Sequence, residues 1–245
     1  MFSSYFRSTV RVTDGFQSVF EYLNRLSPED AVEVLWQTRH KKVLRYQVLP
    51  EIVPGNIPGY QAVVKSYEEK RFFRYLFRAS LAYREWFGYR NAASCGIPAA
   101  RVLAAAEERC FLYLKRSLFI TEYVACSGDG DDFRTGGCRK DESALALEFA
   151  RKNLAFLAKL HRSGFVHGGF TPRNELYILK PDSEKKPNDC LDVVWIDLAT
   201  CQKCSVIKRK KLQRSEMKRF LSLMEFSPEV REKLQNFYFE ELGKK

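Results

Sequence analysis

The sequence predicts an α+β fold in two lobes, with an antiparallel sheet and one helix first and a mainly helical half after it. Two strand-like runs, "KVLRYQVL" (Lys42 to Leu49) and "YQAVVKSY" (Tyr60 to Tyr67), the second alternating and β-branched at its centre, flank the turn-rich "PEIVPGNIPG". A long helical pattern then runs from Glu142 to Arg162. Ala146, Ala150, Asn153, Leu157 and Leu160 recur at helical spacing, joined by Phe149 and Phe156. Between these regions lies "SGDGDDFRTGGCRKD", whose glycines and aspartates read as a loop.

Taken in order, the first 35 residues are a lead-in with one helix, "SPEDAVEVLW". Ser27 is its N-cap, Pro28 takes the first helical position, and Glu29 and Asp30 favour the first turn. After the two strands, Ser80 to Cys95 is a helix stopped by Gly96 and Pro98. "RVLAAAEERCFLYLKRSLFITEYV" reads as two short strands around a charged turn. In the loop that follows, Asp129, Asp131 and Asp132 resemble a calcium loop, but Lys140 stands where the twelfth-position glutamate belongs, so no calcium site is expected. Gly164 ends the long helix. "ELYIL" and "CLDVVWIDLA" are strands around the polar hairpin "KPDSEKKPND", and the tail from Lys208 is basic and then helical. The lobes divide as 1–121 and 122–245.

Composition narrows the function classes. The chain has 245 residues, enough to bury a sizeable core, and at 45% hydrophobic and 29% charged it should fold rather than stay disordered. No apolar run approaches the ~18–20 residues of a membrane span. "MFSSYFRSTVRVTDGF" lacks the apolar stretch of an export signal, so a cytoplasmic location is expected. The seven cysteines should then be reduced. "CQKC" (Cys201 to Cys204) has metal-ligand spacing, but no second pair completes a zinc site. The net charge of +11 favours an anionic partner. Eight basic residues lie between Lys203 and Arg219, against the single acid Glu216. That run is either a solvated helix face or a patch for an anionic membrane surface or for phosphates on a lipid-linked saccharide.

Four features stand in a specific order: Lys65 late in a strand, Glu85 in the following helix, His167 to Asn174 just past the long helix, and Asp197 ending the apolar "VVWID". Singly each has a bland reading: a solvated lysine, a solvated glutamate, a turn, a cap. Together they are what phosphoryl transfer needs. A lysine meets the phosphates, a carboxylate holds that lysine, and an asparagine oxygen and an aspartate hold Mg²⁺.

These residues resemble the protein-kinase-like superfamily. Within it, "VVKSY", "LAYREWFGYRNAASCGIPAARVLA", "LAKLHRSGFVHGGFTPRN" and "VVWIDLA" are similar to the bacterial lipopolysaccharide kinase family, which phosphorylates heptose or Kdo sugars of the inner core. The resemblance covers about Lys42 to Leu221. It implies ATP and Mg²⁺ as cofactors, Lys65 on the α/β-phosphates with Glu85 as its partner, and Asn174 and Asp197 on the metal. It also implies that His167 shapes the loop and that Glu122 and Tyr123 lie near the adenine. A lipopolysaccharide core or lipid-linked saccharide is the implied partner.

Two departures stand out. "TRHKKVLR" replaces a glycine-rich loop before Lys65, and Gly169 stands where the catalytic-base aspartate belongs. Asp129, Asp131 or Asp132 could swing in as the base; Glu175 is nearest in sequence, but a strand starting there would aim it away from Asn174. Otherwise the enzyme is slow, or it is a pseudokinase that binds nucleotide. A nucleic-acid binder is the reading from another class, since basic and aromatic residues interleave in "KRFFRYLFRASLAYREWFGYR". Those rings suit burial in a core equally well, and no RNA-recognition or helix-turn-helix signature is present, so nucleic acid is an unlikely partner.

Overall fold

The computed structural model describes residues 6–13, 15–68, 78–110, 113–134, 144–181 and 189–244. Lys140, most of the polar hairpin and the aromatic run 70–77 lie outside the described residues. The chain divides into two compact units, Met1–Phe87 with Ala100–Val124, and Gly88–Ala99 with Ala125–Lys245.

The first unit is built on a six-stranded antiparallel sheet. Its strands are β1 (Phe6–Val12), β2 (Glu33–Gln37), β3 (Lys41–Gln47), β4 (Gln61–Glu68), β5 (Val102–Cys110) and β6 (Tyr113–Glu122). They lie in the order β1-β5-β6-β4-β3-β2. Alternation assigns the faces. Leu44, Tyr46, Ala62, Val64, Ala104, Ala106 and Ile120 form one core with Phe16, Val19, Phe20 and Leu23. Those last four come from α1 (Gln17–Leu23) and its N-cap, at spacings of three, one and three that keep them on one face. The opposite face carries Val43, Lys65, Phe119 and Ala105, aligned across the sheet by register.

The lead-in differs from expectation. "SPEDAVEVLW" is not a helix. Ser27 and Asp30 close a capping box around a single 3₁₀ turn, Pro28–Asp30, and Ala31 is already extended at ψ 136. Val32, Val34 and Trp36 then belong to an edge strand that gains ladder bonds from β3, and β-branched residues favour that choice over a helix. The helix of this region is α1. The charged "EER" also lies inside β5 rather than in a turn, its carboxylates paired with Arg109 and Arg116.

In the second unit α3 (Ala144–Arg162) buries Phe149, Ala150, Asn153, Leu154, Leu157, Leu160 and His161. Two helices follow, α4 (Val206–Leu223) and α5 (Pro228–Gly243). Strands β7 (Gly128–Asp129), β9 (Glu175–Leu179) and β10 (Leu191–Trp195) form one small sheet, and β8 (Phe165–Val166) and β11 (Gln202–Lys203) another. Trp195 is fully buried, and its Nε1–H donates to Asn153 Oδ1 at 2.8 Å. A buried indole N–H needs such a partner, which is why an asparagine sits on the apolar face of α3.

Helix α2 (Leu81–Ser94) contributes its later half, from Gly88, to the second unit. Backbone contacts explain this: Trp195 N–H donates to Pro98 C=O at 2.9 Å, and Asn91 Nδ2 to Cys201 C=O at 3.2 Å. The division therefore does not fall at a single point near residue 121. Gly88 sits against the Leu198 carbonyl, where a Cβ would come within 1.8 Å of the oxygen. Alanine is the better helix former by about 1 kcal/mol, so a helix-propensity argument expects Gly88→Ala to stabilise. The close approach predicts the reverse, a fall in thermal midpoint of several degrees, equivalent to at least ~1–3 kcal/mol, read by circular dichroism melting.

Candidate phosphotransfer site

The first unit carries the lysine–carboxylate pair. Register places Lys65 between Val43 and Phe119, and its ammonium lies 5.9 Å from the Phe119 ring centroid. Lys65 Nζ donates to Glu85 Oε1, and Tyr67 Oη–H donates to Glu85 Oε2 at 2.6 Å. Glu85 is 0% exposed and Lys65 8%. A buried ion pair typically gains little over an apolar pair of the same shape, because both charges lose their hydration. Fold stability alone gives no reason for this pair. At the far end of β6, Glu122 N–H donates to Arg101 C=O and Tyr123 N–H to Gln61 C=O, while the Arg45 guanidinium lies 4.7 Å from the Tyr123 ring centroid. Tyr123's amide is thus already used within the sheet.

The second unit brings His167, Asn174 and Asp197 together. Asn174 follows a 3₁₀ turn opened by Pro172. Its backbone carbonyl accepts from Ile196 N–H at 2.9 Å, tying the loop to the residue before Asp197. Asn174 Nδ2 donates to Gly169 C=O at 3.3 Å, which fixes the side chain and leaves Oδ1 as a free acceptor. Asp197 is held at φ 56°, a left-handed backbone that is uncommon for a residue with a side chain. Such strain persists only where surrounding structure enforces it, and it gathers at functional sites. An amide oxygen and a carboxylate suit a hard cation such as Mg²⁺, which keeps waters and takes substrate phosphates beside one or two protein carboxylates. Among the described residues no cluster of three or more His, Cys, Asp or Glu could hold a metal by itself.

His167 is a structural member of this group. It is fully buried against Phe170 and Trp195, with ring centroids 5.5 and 5.4 Å away. Burial pushes its pKa down to about 4, so the ring is neutral at pH 7. Nδ1 accepts from Gly169 N–H at 3.3 Å.

Glu216 does what the sequence did not disclose. From α4 its Oε2 accepts from His167 N–H at 3.1 Å and its Oε1 from Gly168 N–H. Its Oε2 is also 2.8 Å from His161 Nε2, whose Nδ1 is 2.6 Å from the Tyr238 hydroxyl. Burial works to raise the Glu216 pKa, but His161 and the Gly168 amide outweigh it and hold the carboxyl below its ordinary value. An ionised carboxylate only accepts, so His161 donates to it through Nε2, and burial raises the pKa of Tyr238 on the other side of the ring. The one signal in the sequence was a lone acid in a basic run.

The loop glycines are not equivalent. Gly168 has φ 80°, and a Cβ there would come 2.7 Å from Thr200 Cβ and 2.8 Å from its carbonyl. Gly169 has ordinary backbone, and its Cβ would meet only Thr200 Oγ1, at 3.2 Å. The three aspartates considered as a replacement base are all engaged in this structure. Asp129 accepts from Asp131 N–H, Asp131 pairs with Arg134, and Asp132 accepts from the Tyr177 hydroxyl. Glu175 is buried at the start of β9 with both oxygens unpartnered. Burial, then Asp129 and Asp131, drive its pKa well above the usual carboxylate range.

The nucleic-acid reading loses rings to the interior. Tyr83 and Tyr89 are buried, and Arg11 stacks on Tyr83 and Trp86. Cys201 and Cys204 are buried, unlinked thiols.

Two predictions follow from the loop. Gly168→Ala should cost ~1–3 kcal/mol and Gly169→Ala less than ~1 kcal/mol, measured by denaturant unfolding. Burial raises the folded pKa of Glu175, so as pH rises the unfolded chain gives up this proton first; its contribution is intact at low pH and is lost as pH rises towards its folded pKa. Glu175→Gln should therefore gain thermal stability over the wild type as pH rises from 4 to 8. A pH-independent difference would contradict this assignment.

No protein-family model matches the chain, and no curated protein matches it in sequence. Solved structures do. One, "WaaP in complex with acyl carrier protein", aligns with a TM-score of 0.66 and 17% identity over 95% of this chain and 89% of that one. Another, the Rio2 kinase–ADP/Mg²⁺–phosphoaspartate complex from Chaetomium thermophilum, aligns with a TM-score of 0.55 and 14% identity, over 92% of this chain and 64% of that one. The chain has a protein-kinase-like fold, as its motifs led one to expect.

Proposed function

We propose that the protein is an ATP- and Mg²⁺-dependent phosphotransferase whose acceptor is a sugar hydroxyl, heptose or Kdo, of the lipopolysaccharide inner core. The observation that carries the phosphotransfer reading is the buried Lys65–Glu85 pair, which stability does not require and phosphate binding does. The family resemblance of the motifs, together with the likeness to the WaaP structure, supports the choice of acceptor.

Lys65 meets the α- and β-phosphates, and Glu85, held by Tyr67, keeps the ammonium in place. Asn174 Oδ1 and the Asp197 carboxylate hold the cation, which when bound neutralises charge developing on the phosphate oxygens. Neutral His167 and ionised Glu216 keep the loop backbone in the conformation that sets Asn174. Glu122 and Tyr123 lie on the adenine side. A general base is typically worth ~10²–10⁴-fold. The phosphoryl transition state is loose and depends mainly on positioning and charge, so a site with Gly169 turns over slowly. The basic face of α4 rests on an anionic membrane surface. Among the described residues no helix is long and apolar enough to cross a membrane.

A second reading, a pseudokinase that binds nucleotide and supports envelope assembly, is favoured by Gly169 itself.

A thermal-shift titration tests the site. Mg²⁺·ATP at 100 times its dissociation constant should stabilise the protein by about 2.7 kcal/mol, and ATP without Mg²⁺ by less. Asp197→Asn should abolish the Mg²⁺ dependence. The double variant Lys65→Met/Glu85→Gln, which leaves no unpaired buried charge, should abolish the shift. A normal shift in the double variant overturns the assignment. Gly169→Asp should raise phosphate transfer to core oligosaccharide by at least ~10²-fold. No transfer by either protein, with nucleotide binding intact, selects the pseudokinase.

A further inference from the structure

Within the second unit, a cavity of about 200 Å³ lies between the loop backbone at Gly168, strand β11 and helix α4. The phosphotransfer reading uses Gly168 and Glu216 in its wall but gives the cavity itself no occupant. Its apolar wall includes Phe170, which is fully packed and therefore fixed. Its polar rim is Gln202, Ser215 and Arg219, all exposed. Arg219 makes no ion pair among the described residues. Glu216 also lines the cavity, but its oxygens are already taken by the His167 and Gly168 amides and by His161.

We infer that this cavity, built on Gly168 with Arg219 at its rim, receives one ring of a saccharide through a carboxylate or phosphate on that ring. Size restricts the occupant. Sites for drug-sized ligands run to ~300–1,000 Å³, so this cavity takes a single small ring or part of a larger ligand. Composition specifies the rest. An apolar wall suits the C–H face of a sugar. A hydroxyl and a carboxamide suit sugar hydroxyls, and a guanidinium binds carboxylate or phosphate through paired hydrogen bonds. The cavity begins one residue from Gly169, the position from which a base would act. An acceptor seated here has its ring beside the loop that holds Asn174. The inference rests on the phosphotransfer reading for calling the occupant an acceptor, but the pocket stands by its own chemistry.

The test is binding without nucleotide, with glucuronate, glucose 6-phosphate and glucose as probes, followed by ligand-observed NMR. At least one acid should bind about tenfold or more tighter than glucose, as expected for a hydrogen bond between charged groups. Comparison of the two acids tells a carboxylate site from a phosphate site. Arg219→Gln should erase the preference, and Ser215→Leu, which fills the rim, should weaken all binding. Arg214→Gln removes the same charge from the same helix without lining the cavity, and should keep the preference. Glucose binding as tightly as both acids, or Arg219→Gln retaining the preference while folded by circular dichroism, overturns the inference. If the acid binds and Mg²⁺·ATP produces no shift, the pocket stands and the phosphotransfer reading falls. If Mg²⁺·ATP binds and neither acid does, the pocket alone falls.

Discussion

The second unit depends on one carboxylate placed where two backbone amides have no other partner. Gly168 is in the left-handed region, so the chain leaves its strand here, and the half-buried His167 N–H needs an acceptor outside any ladder, while the Gly168 N–H lies nearer the surface. Glu216 accepts both. The price of burying that carboxylate is met by His161, which Tyr238 holds in turn from α5. A chain of four groups thus runs from the last helix to the loop that carries Asn174. It explains why α4 and α5 are part of the site's framework and not a detachable tail, and why a histidine sits within the apolar face of α3.

Much of this was legible beforehand because it depended on local pattern. The period of α3, the strand-like runs of β3 and β4, and "ELYIL" as a strand appear in the structure within a residue or two. Lys65 and Glu85 meet because a strand lysine and a helix glutamate can pair only in a sheet-plus-helix unit. What was hidden depended on distant partners. Edge strand β2 carries a genuine N-terminal helix signal in Ser27, Pro28 and Asp30, and the capping box does form, but pairing with β3 wins after one turn. Helix α1 was visible in principle, through Phe16, Val19, Phe20 and Leu23, but the stronger cap nearby drew the assignment. Glu216 could not be found from spacing, because its partners lie some fifty residues away.

Glu175 shows how the same loop excludes what the sequence allowed. It directly follows Asn174, yet strand alternation turns it into the interior, where it finds no hydrogen bond. Fully buried, with its pKa raised by burial, that carboxyl is not exposed to an acceptor. Asp129, Asp131 and Asp132 are committed to the turn that follows β7. Recruiting one of them would cost hydrogen bonds that the fold now makes.

Among the described residues Gly169 is therefore not compensated by a neighbouring carboxylate, and its backbone does not require a glycine. Gly168 is required, since any side chain there meets Thr200 head on. Gly169 faces only a hydroxyl that can move by a few tenths of an ångström. A fold that needs a glycine at one position and merely tolerates it at the next has not lost the aspartate for steric reasons. Asp197 keeps a left-handed backbone that only the surrounding structure can enforce, beside an Asn174 whose amide is oriented by the loop carbonyl. The combination fits a site that keeps the charge-handling half of phosphoryl transfer and leaves the acceptor's proton to be removed without a dedicated carboxylate.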